Sequence, residues 1–528
     1  MCLKISSYGG TELANAVRWA YASGQTDYSL EPLVLSDQAG KPIGRIKDGD
    51  SVIFCLRRGE REVQLTEAFV DPGAGGFPRA DFTHLPFIIL TLYHEKFKDL
   101  PVAFAPSRIN GTLSEILSNC KLRQLHISES EKFSHVTFFF NGGNNRSFEG
   151  ETDVRIPSPR GIPADQIPEL SLPQVTDGII HGISEGYDFI VANFANGDVI
   201  GHTQNQPAKI KCAEIIDSHL GRVVEAAITG KYFVLVTADH GNLEEMINSD
   251  GSSNVSHTSN PVPFVLIPPG TEERIPLHPG RLADVAPTIL SILDLPLPPS
   301  MTGRSLMDVR LRKTASRVML VILDGWGEGR NDETNPIFLA STPYWDHLLK
   351  QYPHTQLEAA GEAVGLKPGK NGNSEAGHMN LGAGRLVLQD DVRLDHAMQD
   401  GSFYTNEIFL QTIADVKNHR SSLHLISLLS EKSSHGSIEY PLALLRMAKD
   451  HALDDVYIHI IFDGRSTEPG SAPELLAKLE HKIAEIGIGQ IVTGVGRGSA
   501  LDRDGNYQKT RCAYDALVFG VGKKYGGD

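Results

Sequence analysis

Apolar residues occur along this chain in two patterns. Near-continuous apolar runs predict buried strands, and apolar positions repeated on one helical face predict amphipathic helices. Near-continuous apolar runs begin at Tyr187, Tyr232 and Val318, and such runs are typical of parallel strands that are covered on both faces. Residues 11–24 place their apolar positions on one face of a helix that ends at a glycine. From about residue 108 onward strands and helices alternate, which predicts an α/β fold with a mainly parallel sheet.

The same pattern predicts further elements in both parts of the chain. The apolar run 135–140 predicts another strand, which would end in glycines. The segment 101–106 has a proline at each end and predicts a connector without regular structure. Apolar runs at 422–429, 456–462 and 490–495 predict the strands of a second α/β region.

Composition limits the class of protein. At 528 residues the chain is too long for one hydrophobic core and suits two to four domains. A net charge of -16 argues against nucleic acid or an anionic membrane as the main partner. The 5 cysteines are far apart and form no C-x-x-C pair, which indicates neither a disulfide framework nor a zinc cluster. We therefore expect a soluble protein of the reducing cytoplasm.

Aspartates follow three of the predicted strands. Asp198, Asp239 and Asp324 each come after an apolar run, and the carboxyl ends of parallel strands form the edge where open α/β sheets bind ligands. His202 lies four residues after Asp198, a spacing that one helical turn brings to a single point. His240 is adjacent to Asp239, so these two side chains diverge and could serve two different ions.

The segment K-P-G-K-N-G-N-S-E-A-G-H-M-N-L-G-A-G-R places one hydroxyl, that of Ser374, between glycine-rich flanks. Such a backbone can present a nucleophile and bring amides close to an anion. The alternative is a surface turn, because Asn, Ser and Gly are the residues that turns prefer. Together with His257 and the strand-end residues, these carboxylate, imidazole and hydroxyl donors suit two divalent ions such as manganese, zinc or magnesium.

Basic side chains follow the strands of the second region. Guanidinium groups match the oxygens of carboxylate and phosphate, so several of them at strand ends indicate a site for a small polyanion. A single arginine in such a position is usually solvated, which is the alternative for each one. The candidates are Arg58, Arg61, Arg465, Arg497 and Arg503, with His435 after the strand 422–429.

Taken together, these motifs resemble cofactor-independent phosphoglycerate mutase, a two-metal family of the alkaline phosphatase superfamily. The matching strings include V-I-L-D-G-W-G, G-N-S-E-A-G-H-M-N-L-G-A-G-R, H-V-T-F-F-F-N-G-G, N-F-A-N-G-D-V-I-G-H-T, T-A-D-H-G-N and H-T-S-N-P-V-P-F. Their order is rotated, because in the family the strand before Asp324 opens the chain and M-T-G-R-S-L closes it. Here the two are joined through about residues 308–316, so we expect a circularly permuted order.

The resemblance implies two α/β domains and a reaction. An alkaline-phosphatase-like domain with two metals would span 108–388, and a discontinuous substrate-binding transferase domain would consist of 389–528 and 1–107. The implied reaction interconverts 3-phosphoglycerate and 2-phosphoglycerate through a phosphoserine. Manganese is the expected metal, with magnesium, cobalt or zinc as alternatives, and the expected state is a monomer.

The resemblance also implies a role for each site residue. One metal would be held by Asp324, Ser374, Asp239 and His240, and the other by Asp198, His202 and His257. The phosphoglycerate would be bound by Lys132, His435, Arg465, Ser466, Arg497, Arg503, Arg58 and Arg61. Catalysis would involve Ser374 as phosphoryl acceptor with Lys132, His435 and Arg465.

Three departures from the family pattern fall in the expected substrate domain. The family has an aspartate directly after the arginine of D-G-R, where this chain has Ser466, and a serine does not act as a base near neutral pH without activation. S-D-G-G-V-H-S-H is here S-E-K-S-S-H-G-S, and N-F-R-P-D-R is L-R-R-G-E-R. The alternatives are therefore a metal-dependent phosphatase or phosphomutase for a related small phosphate ester, and a catalytically silent relative.

Overall fold

The computed structural model describes residues 8–57, 61–105, 109–270, 275–307, 317–431 and 433–526. These residues form two compact units. The first unit takes its described residues from Met1–Pro106 and Arg393–Asp528, and the second from Ser107–Val392. Each unit is built around an eight-stranded sheet with helices between the strands, which confirms the predicted α/β class.

Strands and helices are numbered in chain order. The strands in the described part of the chain are β1 (Leu33–Leu35), β2 (Ser51–Phe54), β3 (Phe87–Thr91), β4 (Val102–Phe104), β5 (Gln124–Glu129), β6 (Glu151–Ile156), β7 (Phe189–Phe194), β8 (Phe233–Thr237), β9 (Val262–Ile267), β10 (Gly280–Arg281), β11 (Val318–Leu323), β12 (His354–Glu358), β13 (Leu423–Leu429), β14 (Val456–Phe462), β15 (Gln490–Gly496) and β16 (Lys523–Tyr525). The α-helices there are α1 (Gly10–Ala22), α2 (Val63–Val70), α3 (Leu113–Asn119), α4 (Leu172–Glu185), α5 (Asn196–Gly201), α6 (Gln206–Thr229), α7 (Val285–Ile292), α8 (Pro336–Leu339), α9 (Pro343–Gln351), α10 (Ser374–Ala383), α11 (Asp390–Asp400), α12 (Glu407–His419), α13 (Glu439–Asp450), α14 (Ala472–Ile486), α15 (Arg497–Ala500) and α16 (Tyr507–Val518).

The sheet of the second unit has the strand order β10-β12-β9-β8-β11-β7-β5-β6. Its central strand β11 pairs in parallel with β7 on one side and β8 on the other. All six residues of β11 and of β7 are buried, as expected for strands that helices cover on both faces. The carboxyl ends of β7, β11 and β8 therefore lie side by side at one edge of the sheet.

The sheet of the first unit has the order β16-β1-β15-β14-β13-β2-β3-β4. Four adjacent strands, β15, β14, β13 and β2, run parallel to one another, so their carboxyl ends also share one edge. Successive residues of β13 face opposite sides of the sheet: Leu425 belongs to one apolar core and Ile426 to another. The runs 422–429, 456–462 and 490–495 are thus confirmed as strands.

Two predictions from the sequence are wrong. The run 135–140 is not a strand, because His135–Phe139 forms a π-helix directly after β5. Val136 and Phe140, four residues apart, are fully buried while the residues between them are only partly buried, so a single helical face packs against the core. The segment 101–106, predicted to connect two domains without regular structure, contains β4, which extends the sheet beside β3. The boundary between the two units does fall at the end of this segment. Pro101 can lie directly before β4 because β4 is the edge strand of the sheet.

Within the described ranges, none of the helices combines the length and the apolar character that a membrane span needs.

A buried polar chain crosses three strands of the first unit, β15, β14 and β13, and ends at Asp50, directly before β2. The imidazole of His459 bonds to the Thr493 hydroxyl at 2.8 Å and to the ring of His424 at 3.0 Å. The other ring nitrogen of His424 lies 3.1 Å from the Asp50 carboxylate. All four side chains are buried. Burial, reinforced by the neighbouring His424, lowers the pKa of His459 well below its usual value, so His459 stays neutral in the folded unit.

This burial predicts a loss of stability in mild acid. Because the unfolded chain takes up a proton at residue 459 below about pH 6.5 and the folded unit does not, the free energy of unfolding should fall by about 2 kcal/mol between pH 7 and pH 5. Hydrogen exchange of the β13 and β14 amides measures this free energy. His459→Gln should remove the part of the fall that residue 459 causes and leave the part due to His424, whose pKa burial also lowers. His481→Gln, at a side chain that is 77% exposed, should leave the fall unchanged. An unchanged pH dependence in His459→Gln would contradict the assignment.

Candidate active site

The carboxyl edge of the second unit's sheet holds three buried carboxylates. Asp324 directly follows β11 and Asp239 lies two residues after β8, whereas Asp198 lies in the short helix α5 that follows β7. The Nε2 atom of His240 is 3.4 Å from Asp239 Oδ2, 3.6 Å from Asp324 Oδ1 and 3.8 Å from Asp198 Oδ1. One imidazole nitrogen therefore lies within reach of all three aspartates.

Glycines allow these chain segments to approach closely. Gly325 follows Asp324 with a φ of 74°, and a Cβ there would lie 2.8 Å from the backbone of Asp198. A Cβ at Gly197 would lie 2.4 Å from the carbonyl oxygen of Asp324. A side chain at either position would push α5 away from the end of β11, and so separate Asp198 from Asp324.

Ser374 is the first residue of α10 and points into the same cluster. The Asn373 side chain caps this helix by accepting a hydrogen bond from the Ala376 amide. Lys132 Nζ donates to Ser374 Oγ at 2.7 Å, to Asp324 Oδ1 at 2.7 Å and to Asp198 Oδ2 at 2.6 Å. The Ser374 hydroxyl is also 2.9 Å from His240 Nε2, so it lies between an ammonium group and an imidazole.

Three imidazoles present the same nitrogen to the carboxylates. His202 Nε2 and His257 Nε2 lie 3.2 Å and 3.0 Å from Asp198 Oδ1, and 3.0 Å from each other. On the opposite side of each ring, Nδ1 faces a backbone carbonyl: Val255 O at 2.8 Å for His202, Gly372 O at 2.8 Å for His257 and Gly241 O at 3.1 Å for His240. Because Nδ1–H donates to the carbonyl, each Nε2 lone pair faces the cluster, as in histidines that bind metals.

The charges of this cluster fit divalent cations. Three carboxylates and the one ammonium group of Lys132 leave an excess of two negative charges among these four groups. Burial and the negative charge of the neighbouring Asp239 raise the pKa of Asp324. The Oδ2 atom of Asp239 is buried and accepts no hydrogen bond from the described residues. Two donor sets have ligand atoms within 4.8 Å of one another, namely Asp239, His240 and Asp324, and Asp198, His240 and His257.

Protons compete with cations for the same atoms. Burial lowers the pKa of His257, but the hydrogen bond to Asp198, the negative charge of Asp198 and the bond to Gly372 O together outweigh it, so the net pKa is raised. The hydrogen bond to Asp198 likewise raises the pKa of His202. Burial opposes the ionisation of Asp198, yet Lys132 and the two histidines hold its pKa well below the usual value. Cation binding at these Nε2 atoms must displace protons as the pH falls.

Two partners of the cluster were missed in the sequence. The Nδ1 atom of His378 is 3.3 Å from Asp239 Oδ2, and its Nε2 atom is 3.0 Å from the side-chain nitrogen of Asn193. Asn193 donates to Asp324 Oδ2 at 2.6 Å. The signal for His378 was present in S-E-A-G-H, because a residue four positions after Ser374 lies on the same face of α10. Nothing local marks Asn193, which lies within an apolar strand.

A buried carboxylate connects the loops that carry the donors. Glu244 Oε2 accepts hydrogen bonds from the backbone amides of Asn242 at 2.8 Å and Gly327 at 3.1 Å. Its Oε1 accepts from the Asn260 side chain at 2.9 Å and from the Thr258 hydroxyl. These donors lie close in sequence to the pair 239–240, to residue 257 and to residue 324. Glu244 therefore fixes the positions of three loops relative to one another.

The remaining predicted residues belong to the first unit. Those that the structure describes come after its parallel strands. His435 follows β13, Arg465 and Ser466 follow β14, Arg497 opens α15 after β15, and Arg61 follows β2. Arg503 lies beyond α15, and Arg58 lies outside the described residues.

These residues divide into a buried and an exposed group. Arg61 Nη1 donates to Leu501 O at 3.1 Å, and Arg497 forms an ion pair with Asp463. Both arginines are buried. The exposed group contains Arg465, Ser466 and Arg503. The structure thus gathers the eight predicted residues of the second unit into one cluster, but it gives those of the first unit different surroundings.

Comparison with known proteins finds two families. A model of the metalloenzyme superfamily matches residues 3–297. A model described as the BPG-independent PGAM N-terminus matches residues 394–527. These matches bear out the resemblance that the motifs indicated.

The chain is also similar to individual proteins. It is 44% identical over 293 residues to a 2,3-bisphosphoglycerate-independent phosphoglycerate mutase of Desulforudis audaxviator, which covers 55% of this chain and 57% of the relative. It is 43% identical over 309 residues to such a mutase, numbered 1, of Methanosarcina acetivorans, with 58% and 59% covered. The chain therefore spans less than two thirds of the length of these relatives. A crystal structure of Leishmania mexicana phosphoglycerate mutase at low cobalt concentration matches 52% of this chain and 53% of its own, with 28% identity and a TM-score of 0.42.

The contacts of Glu244 predict a role in cation affinity. Glu244→Gln replaces one acceptor oxygen by an N–H donor that would face donors, so the three loops should lose their register. We expect Mn2+ to bind the full chain about 10- to 100-fold more weakly by titration calorimetry. Glu245→Gln is the matched control, because that side chain accepts from Asn254 and does not join these loops. Equal Mn2+ affinities for the two variants would rule out this role.

Proposed function

Because this chain belongs to the metalloenzyme superfamily, we propose that it is a phosphoglycerate mutase that interconverts 3-phosphoglycerate and 2-phosphoglycerate through a phosphoserine at residue 374. The observation that carries the proposal is the position of the Ser374 hydroxyl, which lies within 2.9 Å of both Lys132 Nζ and His240 Nε2. The relatives that are 43–44% identical support the choice of reaction.

Ser374 would act as the nucleophile. Its Oγ forms a bond to phosphorus while the bond from phosphorus to the ester oxygen of the substrate breaks. The ammonium group of Lys132 donates to Oγ and stabilises the negative charge on this oxygen before attack and after release. Burial alone would lower the pKa of Lys132, but the Asp324 and Asp198 carboxylates raise it, so the group remains charged at neutral pH.

Dependence on a divalent metal follows from membership in the superfamily. We propose two ions, with Mn2+ as the natural choice: one held by Asp324, Ser374, Asp239 and His240, and the other by Asp198, His202 and His257. When bound, such ions lower the pKa of a serine hydroxyl and draw charge from the phosphoryl oxygens. The convergent Nε2 atoms and the unsatisfied oxygen of Asp239 support cation binding in this cluster. The 3.2 Å from His202 Nε2 to Asp198 Oδ1 supports His202 as a ligand of the second ion.

The first unit would supply the groups that bind the phosphoglycerate, namely Arg58, Arg61, His435, Arg465, Ser466, Arg497 and Arg503. Support comes from the shared edge of four parallel strands, where open α/β sheets bind ligands. The proposal includes a monomer in the cytoplasm that acts on a small molecule, and the net charge of -16 is in keeping with it.

The rotated order of the motifs is also part of the proposal. The family model described as an N-terminus matches the later residues 394–527, and the metalloenzyme model matches the earlier residues 3–297. This order supports a circular permutation that leaves the dimetal domain continuous over 108–388 and builds the transferase domain from 389–528 and 1–107.

A phosphatase or phosphomutase acting on another small phosphate ester is the second candidate. It is favoured by the exposed Ser466, at a position where the resembling family has an aspartate. Without a group that exchanges protons with the glycerate, water would compete for the phosphoserine and free phosphate would be released.

The two candidates differ in their product. Given Mn2+ and 3-phosphoglycerate, the protein should form 2-phosphoglycerate, measured by coupling to enolase. Ser374→Ala should lower kcat by more than about 10⁴-fold, because no other group can replace the nucleophile. The exposed Ser259, two residues from His257, offers a matched control, Ser259→Ala. Free phosphate in place of 2-phosphoglycerate would favour the phosphatase, and no product at all would favour a silent relative.

A further inference from the structure

The first unit contains a buried glutamate that the sequence did not reveal. Glu62 immediately precedes α2, and its side chain is fully buried. Its Oε1 accepts a hydrogen bond from Nδ1 of His435 at 2.8 Å. Glu62 follows β2 and His435 follows β13, so the bond connects the ends of two adjacent parallel strands.

This bond fixes the imidazole. With Nδ1–H donating to the carboxylate, a neutral His435 carries its lone pair on Nε2. The His435 side chain keeps 18% of its surface exposed, whereas Glu62 has none. The carboxylate can therefore act on a ligand only through the imidazole.

Burial and two basic neighbours act on the Glu62 carboxylate in opposite directions. Burial raises the pKa of Glu62, while His435 and Arg497 oppose that rise. The charge of Arg497 is already paired with Asp463. Tyr93 is also close enough for Glu62 to add to the rise that burial causes in its pKa. The second oxygen of Glu62 accepts no hydrogen bond from the described residues, so His435 is its main partner.

Residues 466 and 463, which follow β14, do not offer a free carboxylate beside His435. Residue 466 is a serine, and its hydroxyl lies 3.4 Å from that of Ser433. Asp463 follows the same strand, but its carboxylate is engaged by Arg497. Ser433 in turn accepts a hydrogen bond from the backbone amide of His435, so residue 466 adjoins the loop that Glu62 holds.

We propose that Glu62 is a positioning residue that makes His435 the proton carrier of the reaction, in place of the aspartate that the family has at position 466. The inference rests on the proposed mutase function. It explains how a chain with Ser466 can still exchange a proton with the glycerate.

In the proposed reaction His435 gives up one proton when the phosphoryl group moves to Ser374 and regains one when the group returns to the glycerate. As the bond from phosphorus to the substrate oxygen breaks, its electron pair goes to that oxygen, which takes the Nε2 proton of the His435 imidazolium. The glycerate then presents its other hydroxyl. The Nε2 atom takes the proton of that hydroxyl as its oxygen bonds to phosphorus, and the electron pair of the serine–phosphorus bond returns to Ser374 Oγ.

Glu62→Gln tests this role in the full chain with Mn2+ and 3-phosphoglycerate. We expect kcat to fall about 10²- to 10⁴-fold with KM changed less than about threefold, because a proton-transfer group is affected and not an anion contact. Glu67→Gln is the matched control: this buried glutamate of α2 pairs with Lys96 and Tyr507 and should keep the wild-type rates.

A second variant and a spectrum separate positioning from stability. Ser466→Asp added to Glu62→Gln should restore kcat at least about tenfold, because it returns a carboxylate to the loop. Nitrogen-15 NMR of labelled histidine in the wild-type chain, with His435→Gln for assignment, should show the His435 proton on Nδ1.

Three results would overturn the inference: wild-type kcat in Glu62→Gln, an equal loss in Glu67→Gln, or a neutral His435 with its proton on Nε2. A wild-type protein without mutase activity would instead overturn the proposed function.

Discussion

The repulsion among three buried carboxylates at one sheet edge is the constraint on which the second unit depends. Asp198, Asp239 and Asp324 lie close enough to share contacts with one imidazole, and removing such charges from water costs several kcal/mol each unless cations offset it. Lys132 offsets part of it. The close glycine contacts and the hydrogen bonds of Glu244 hold the loops against the remaining repulsion. Any cation that binds here stabilises the folded unit as well as its chemistry, since the unfolded chain offers no such site.

Both sheets place polar side chains at the carboxyl ends of their parallel strands, but the side chains of the two units differ in charge. In each unit, adjacent parallel strands deliver polar side chains to their carboxyl edge. The second unit collects carboxylates and imidazole lone pairs, which suit cations. The first unit has guanidinium groups there, which suit anions, and two buried carboxylates: Asp463, which pairs with Arg497, and Glu62, which accepts a hydrogen bond from His435. A negative charge among arginines would weaken anion binding if it were exposed. The Glu62 carboxylate is fully buried and hydrogen-bonded to His435, so its charge acts on the imidazole.

The sequence predicted what depends on local pattern. The apolar runs identified β7, β8 and β11, and the polar residues after them identified the three aspartates. It failed where partners are distant in sequence or where the local pattern is ambiguous. The aromatic run 135–140 suits a strand or a helix equally well, and only packing against the core decides. Glu62 and Glu244 look like ordinary charged residues, because their roles arise from hydrogen bonds to other loops. For Glu62 the partner is 373 residues away.

That separation reflects how the first unit is assembled. The second unit uses a continuous stretch of chain, whereas the first combines strands from both ends of the sequence. These strands interleave, because β1 lies between β15 and β16, and β2 lies beside β13. Neither segment can complete the sheet alone, and pairings of such long range form slowly. The bond from Glu62 to His435 spans the β2–β13 junction. It can form only after the two segments have paired, so this hydrogen-bonded pair is completed by the same event that completes the sheet.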